Sequence, residues 1–274
     1  MVTIKNILAV IDPTKETQRA LERAVRIAKI AKARIHAYVS VYSDMETDSP
    51  EDLCQAETSR YSLWLDKIIE PVKAEKIDVT VQIDWNENWR EAIAVAAKAV
   101  ESDLIIKPSR IHSASERVFM HSSDLALFKT AQCPVLLVKV EEATQTHKVL
   151  MAIDAKREDR KYKNILDKII DFGKAASAAY EDGELYAVHA YTNQDEYFHV
   201  ADLAKKTRLD TKRVRVVGAE PEEAIARVAK EIDAQLIIIG LSTKSTLVNR
   251  VFGSTGEWLL NNLHQDLLVI FPED

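Results

Sequence analysis

The sequence predicts an α/β protein built from two tandem, doubly wound, parallel five-stranded sheets of Rossmann-like kind, related by a pseudo-two-fold axis. Three observations predict it. Short β-branched runs alternate with longer helical patterns, as in a parallel sheet wrapped by helices. The pattern then occurs twice. Ile11-Asp12, Glu91-Ala92-Ile93, Asp103-Leu104-Ile105-Ile106 and Cys133-Pro134-Val135-Leu136-Leu137-Val138 return as Ile153-Asp154, Glu223-Ala224-Ile225, Leu236-Ile237-Ile238-Ile239-Gly240 and Asp266-Leu267-Leu268-Val269-Ile270. From the Glu-Ala-Ile segment onward the copies register at one constant offset without a gap. Lastly, all 6 glycines lie after residue 172, so the copies differ most where backbone would have to approach a phosphate.

In the first copy strands are expected near 6–12, 34–41, 78–84, 103–107 and 134–139, and helices near 16–32, 52–74, 89–100 and 122–131. The run from Arg19 to Ala28 places apolar residues three and four apart, the spacing of an amphipathic helix. In the second copy strands are expected near 148–153, 184–190, 212–217, 235–240 and 266–271, and helices near 160–177, 194–207, 221–232 and 254–263. The second copy is shorter ahead of its third strand, so its second helix is trimmed. Residues 141–146 are polar and poor in apolar side chains, which divides the chain into domains 1–144 and 145–274. The fifth strands, Val135–Val138 and Leu267–Ile270, are apolar on both faces and are expected to meet, since each would otherwise leave an open sheet edge.

At 274 residues each copy can bury a core of its own. With 47% hydrophobic and 29% charged residues the chain is expected to be globular. A net charge of -6 without a basic stripe argues against nucleic acid. The apolar runs are strand-length, so no membrane span is expected. The N-terminus lacks a signal-peptide layout, and the 2 cysteines, Cys54 and Cys133, form no disulfide or zinc pattern. A reducing cytoplasm is the expected compartment.

The loop that carries chemistry lies in the second copy. Gly240-Leu241-Ser242-Thr243 follows an apolar strand, and Gly253-Ser254-Thr255-Gly256-Glu257 opens the next helix. Strand ends and helix N-termini converge on the crevice of such sheets, where free amides and the Ser and Thr hydroxyls make an anion cradle. Ser254-Thr255-Gly256-Glu257 also reads as a capping box, which needs no ligand.

On these residues the chain resembles the universal stress protein family, in its tandem form. The family's nucleotide loop runs Gly, two residues, Gly, nine residues, Gly-Ser/Thr. Here Gly240 fills the first position, Thr243 replaces the second glycine, and Gly253-Ser254 fill the last pair. Gly218-Ala219-Glu220-Pro221-Glu222-Glu223-Ala224-Ile225 is similar to the family's passage from third strand to third helix. The resemblance implies the universal stress protein fold and an adenine nucleotide, ATP or AMP, with Mg accompanying ATP. It places Asp154 and Ala190 on the base side and Gly240, Ser242, Thr243, Gly253, Ser254 and Thr255 on the ribose and phosphates. Thr243 puts a side chain where the family has bare backbone. The resemblance also implies a stress-response sensor or carrier, at most a slow ATPase, and a homodimer. In the first copy Pro108, Ile111 and His121 stand at the three glycine positions, so no ordinary nucleotide is expected there.

Trp85, Trp89, Phe119 and Met120 are candidates for an apolar pocket in the first copy, although large aromatics more often close a core. Lys156, Arg157, Arg160, Lys161 and Lys163 could steer phosphates, but a solvated helix face is the better reading. The 7 histidines show no metal spacing, and His36 and His189 read as satisfied structural residues. No catalytic constellation stands out. The rival to a nucleotide binder is a nucleotide-independent carrier of an apolar small molecule.

Overall fold

A computed structural model describes residues 2–42, 49–109, 123–139, 147–241 and 254–272. The chain falls into two compact bodies. The first comprises Thr3–Pro108 with His121–Val135, and the second is mainly Leu136–Asp274. The sequence boundary between 144 and 145 lies outside the described residues.

In the first body β1 (Asn6–Val10), β2 (Arg34–Val41), β3 (Val79–Trp85) and β4 (Leu104–Pro108) run in the order β3-β2-β1-β4, each neighbouring pair parallel. Helices α1 (Arg19–Ala31), α2 (Pro50–Ala74), α3 (Trp89–Ala99) and α4 (Ser123–Thr130) cover them. The apolar stripe read from Arg19 to Ala28 is the buried face of α1, through Ala20, Leu21, Ala24 and Ala28. α1 ends at Lys32, whose φ of 56° lets its N–H reach back to the carbonyl of Ala28. Ile7, Leu8 and Ala9 of β1 are buried on both faces, as a central parallel strand requires.

The second body contains β6 (Lys148–Ala152), β7 (Glu184–Tyr191), β8 (Val214–Gly218), β9 (Leu236–Gly240) and β10 (Asp266–Ile270), in the order β10-β9-β6-β7-β8 with parallel pairing throughout. Strand β5 (Val135–Val138) neighbours β10, and its last three residues, from Leu136, belong to this body. Just after it the Lys139 amide donates to the Asp266 carboxylate at 2.9 Å. The Lys139 ammonium donates to the carbonyls of Leu260 (2.6 Å) and Leu263 (3.1 Å). Those carbonyls end α8 (Ser254–Asn262), where a cation is favoured by the helix dipole.

The remaining helices of this body are α5 (Arg160–Ala178), α6 (Val200–Thr207) and α7 (Pro221–Glu231). Asp159 caps α5 by accepting from the Tyr162 amide at 3.0 Å. The helix expected over 194–207 is not continuous. A 3-10 turn, Gln194–Glu196, comes first; Tyr197 is then extended at φ -58° and ψ 136°, and α6 starts only at Val200. The aromatics explain the break: Tyr197 packs edge-on against Tyr191 at 5.3 Å, and Phe198 against His189 at 6.0 Å. Likewise β8 starts at Val214, because Thr211–Arg213 forms a 3-10 turn capped by Asp210.

Candidate functional site

Within the second body the chain runs from β6 out through β7 to β8, then returns to the other side of β6 to make β9. That reversal places a crevice between the two directions, at the carboxyl ends of the strands. A cavity of about 690 Å³ lies there, a size typical of small-molecule sites. Ile153 and Asp154 beyond β6, His189 and Ala190 of β7, and Ile239 and Gly240 of β9 form its floor. Pro221 and Ile225 of α7 and Thr255, Gly256 and Leu259 of α8 close one side. Lys156, Arg157, Tyr162 and Glu196 close the other.

The walls are tied by buried polar groups. His189 is 2% exposed, and its Nε2 lies 3.0 Å from the carbonyl of Glu196. Its Nδ1 lies 3.2 Å from the Ala155 amide and 3.1 Å from the Ile153 carbonyl. One ring thus joins the loop after β6 to the turn after β7, and no ring nitrogen is left for a metal. The Lys206 ammonium donates to the Ala155 carbonyl at 2.7 Å. The Tyr162 hydroxyl accepts from the Asp154 amide at 2.6 Å. Burial pushes that hydroxyl well above the usual phenol range, against the opposing Asp154 hydrogen bond, so it stays protonated.

With its backbone fixed in this way, Asp154 is exposed, and its carboxylate holds no hydrogen bond among the described residues. The Glu196 carboxylate is held below the ordinary range by the Thr192 backbone amide first and the Thr192 hydroxyl second. Arg157 pairs with Asp159 and lies over the Tyr162 ring at 5.1 Å. Lys156 has no partner among the described residues. Of the basic cluster expected to be a solvated face, Lys156 and Arg157 therefore border the crevice, while Arg160, Lys161 and Lys163 face solvent.

Gly240 has a second reason to lack a side chain. A Cβ there would lie 2.4 Å from Ile165 Cγ2 and 3.0 Å from Ile169 Cδ1, both on α5. The glycine lets α5 seat on the end of β9, whatever the crevice holds.

Of the residues singled out in the sequence, Asp154, Ala190, Gly240 and Thr255 line one cavity. Ser254 opens α8, while Ser242, Thr243 and Gly253 lie outside the described residues. In the first body Trp85 packs on Tyr42 at 5.8 Å and faces Pro50, Cys54 and Thr58 of α2. Trp89 opens α3, and Phe119 and Met120 lie outside the described residues, as do Ile111 and His121. The reading of His36 as satisfied holds: its ring nitrogens meet Thr80 Oγ1 at 2.6 Å and Gln82 Oε1 at 2.9 Å.

The first body treats the equivalent positions differently. Asp12, the counterpart of Asp154, turns its carboxylate onto Thr14, accepting from the amide at 2.9 Å and the hydroxyl at 2.6 Å. Pro108 ends β4 where Gly240 ends β9. Sequence reading missed Lys107 and Asp124, which the register aligns with Ile239 and Gly256 of the crevice. They form an ion pair at 2.7 Å with side chains only 10% and 4% exposed. The Lys107 ammonium also donates to the Pro108 carbonyl at 3.1 Å.

The universal stress protein family model matches this chain twice, over residues 3–139 and 145–270. The chain belongs to the universal stress protein family. Among relatives of this universal stress protein, the universal stress protein E homolog of Haemophilus influenzae is 25% identical, over 98% of this chain and 97% of its own. The crystal structure of a universal stress protein from Archaeoglobus fulgidus covers 98% of this chain and 97% of its own, with a TM-score of 0.76 at 16% identity. A protein of unknown function from Pseudomonas aeruginosa PAO1 is similar at a TM-score of 0.81 and 22% identity, over 99% of this chain and 94% of its own. At those identities the structural likeness establishes the fold.

Proposed function

We propose that this protein is a cytoplasmic stress-response protein that holds an adenine nucleotide, AMP or ATP, in the crevice of its second body. It acts as a sensor or carrier and at most hydrolyses ATP slowly. The carrying observation is the cavity of about 690 Å³ that brings Asp154, Ala190, Gly240 and Thr255 together from separate elements. Asp154 is exposed there, its carboxylate unpaired among the described residues and able to accept from an exocyclic amine or a ribose hydroxyl. Thr255 and Gly256 present the first turn of α8, where helix amides favour an anion. Family membership and the universal stress protein names of the relatives support the stress-response part. No helix among the described residues is long and apolar enough to cross a membrane. Should ATP be the ligand, Mg²⁺ would be held chiefly by its phosphate oxygens and by water.

Calorimetric titration of the full chain with AMP and ATP tests this reading. Asp154→Ala removes one charged hydrogen-bond acceptor, so affinity should fall about tenfold or more. Unchanged affinity, or no binding by the parent protein, would sink it. The rival, a carrier of an apolar molecule near Trp85, predicts instead a co-purifying hydrophobic compound in native mass spectrometry and indifference to Asp154→Ala.

A further inference from the structure

Asp154 sits on a turn whose backbone is held by side chains from three other elements. The Asp154 amide donates to the Tyr162 hydroxyl of α5 at 2.6 Å. The Ile153 carbonyl and the Ala155 amide lie against Nδ1 of His189 on β7, at 3.1 and 3.2 Å. The Ala155 carbonyl accepts from the Lys206 ammonium of α6 at 2.7 Å. The chain is thereby fixed on both sides of Asp154, while the Asp154 carboxylate is unpaired among the described residues and borders the cavity.

The first body builds the same turn without these groups. The Ile11 amide donates to the Tyr38 carbonyl as the Ile153 amide donates to that of Val188, which makes Val39 the counterpart of His189. Val39 is buried and apolar. Pro13 stands where the second body has Ala155, and it has no amide to satisfy. Gln18, close in sequence, takes the Asp12 amide at 3.0 Å and donates to the Asp12 carbonyl at 2.8 Å. The Asp12 carboxylate itself accepts from Thr14. The turn can therefore form with neither a buried imidazole nor a tethered ammonium. Burying an imidazole is costly unless its nitrogens are met, and ordering a lysine side chain costs rotamer freedom. The second body accepts both costs at the turn whose aspartate borders a cavity.

We propose that Tyr162, His189 and Lys206 are positioning residues, which hold Asp154 ready to accept from the ligand and act on affinity through it. The proposal rests on the nucleotide reading above and deepens it. A carboxylate whose backbone is already aimed loses less freedom on binding, so the restraint appears as affinity. Lys206 isolates the effect best. It stands outside the cavity lining and reaches Asp154 through the Ala155 carbonyl.

The test is a double-mutant cycle read by calorimetric titration of the full chain with AMP and with ATP. Lys206→Met keeps the apolar stem and removes the ammonium; Tyr162→Phe keeps the ring and removes the hydroxyl. Each is measured alone and together with Asp154→Ala. Alone, each should weaken binding about three- to tenfold, the loss of one hydrogen bond. In the Asp154→Ala background the same changes should move affinity by less than about twofold, because the group they position is gone. His189→Val, which installs the first body's residue, should follow the same pattern, and urea unfolding of each variant separates a lost fold from a lost aim. A loss of equal size with and without the Asp154 carboxylate would mark a merely structural role and overturn the proposal. So would single variants that bind like the parent. A loss confined to Tyr162→Phe that persists beside Asp154→Ala would make its hydroxyl a direct ligand contact, and would overturn the positioning role. These outcomes leave the nucleotide reading standing. A parent chain that binds neither AMP nor ATP would remove that reading, and the proposal with it.

Discussion

At the scale of single residues, Gly240 shows how one residue can answer two demands. The sequence marks it as bare backbone for a phosphate. The structure adds that a Cβ would press within 2.4 Å of Ile165 on α5. Helix α5 is anchored by Ile165 and Ile169, both buried, so it cannot yield cheaply. Gly240→Ala should therefore lower stability by about 1–3 kcal/mol without any ligand present, by overpacking. Urea unfolding at constant slope checks it, and an unchanged midpoint would leave ligand approach as the sole reason for the glycine. His189 was legible as a satisfied histidine. Its partners were not, since they are three backbone groups of residues 153, 155 and 196 that no side-chain pattern announces.

At the scale of elements, strands β1, β2, β4, β6, β7, β9 and β10 and helices α1, α3, α5, α7 and α8 were legible from period and register. Buried parallel strands and amphipathic helices leave strong patterns. The stretch 194–207 was not, because its aromatics satisfy tertiary contacts that override helical spacing. The Lys107–Asp124 pair between β4 and α4 escaped for another reason. A lysine near a strand end and an aspartate in a first helical turn are ordinary when read singly. Only their alignment with Ile239 and Gly256 shows that an ion pair occupies positions the second body gives to its cavity. Breaking such a buried pair leaves an uncompensated charge, so Lys107→Ala or Asp124→Ala should each cost about 3–5 kcal/mol. The double replacement Lys107→Met with Asp124→Leu should cost far less than the sum of the single changes. Additive losses in urea unfolding would show that the two side chains act independently.

At the scale of the whole molecule, a duplicated chain poses the question of whether it carries one site or two. The family model recognises both halves, so membership alone predicts symmetry. The side chains argue otherwise. Asp154 borders the cavity with a carboxylate unpaired among the described residues, whereas the Asp12 carboxylate accepts from the Thr14 amide and hydroxyl. Gly240 and Gly256 line the cavity as bare backbone, where Pro108 and Asp124 bring a ring and a charge that is already neutralised by Lys107. Each difference removes either an acceptor or space, and a nucleotide needs both. The chain should therefore bind one adenine nucleotide, with calorimetric stoichiometry near one per chain. Asp154→Ala should weaken the whole binding isotherm about tenfold or more, and Asp12→Ala should leave it unchanged. Two equivalents bound, or loss of half the signal in Asp12→Ala, would show that the first body had kept its site by a route other than bare backbone. The asymmetry inferred from glycine placement would then be wrong at its root, since the same residues carry it in the sequence and in the fold.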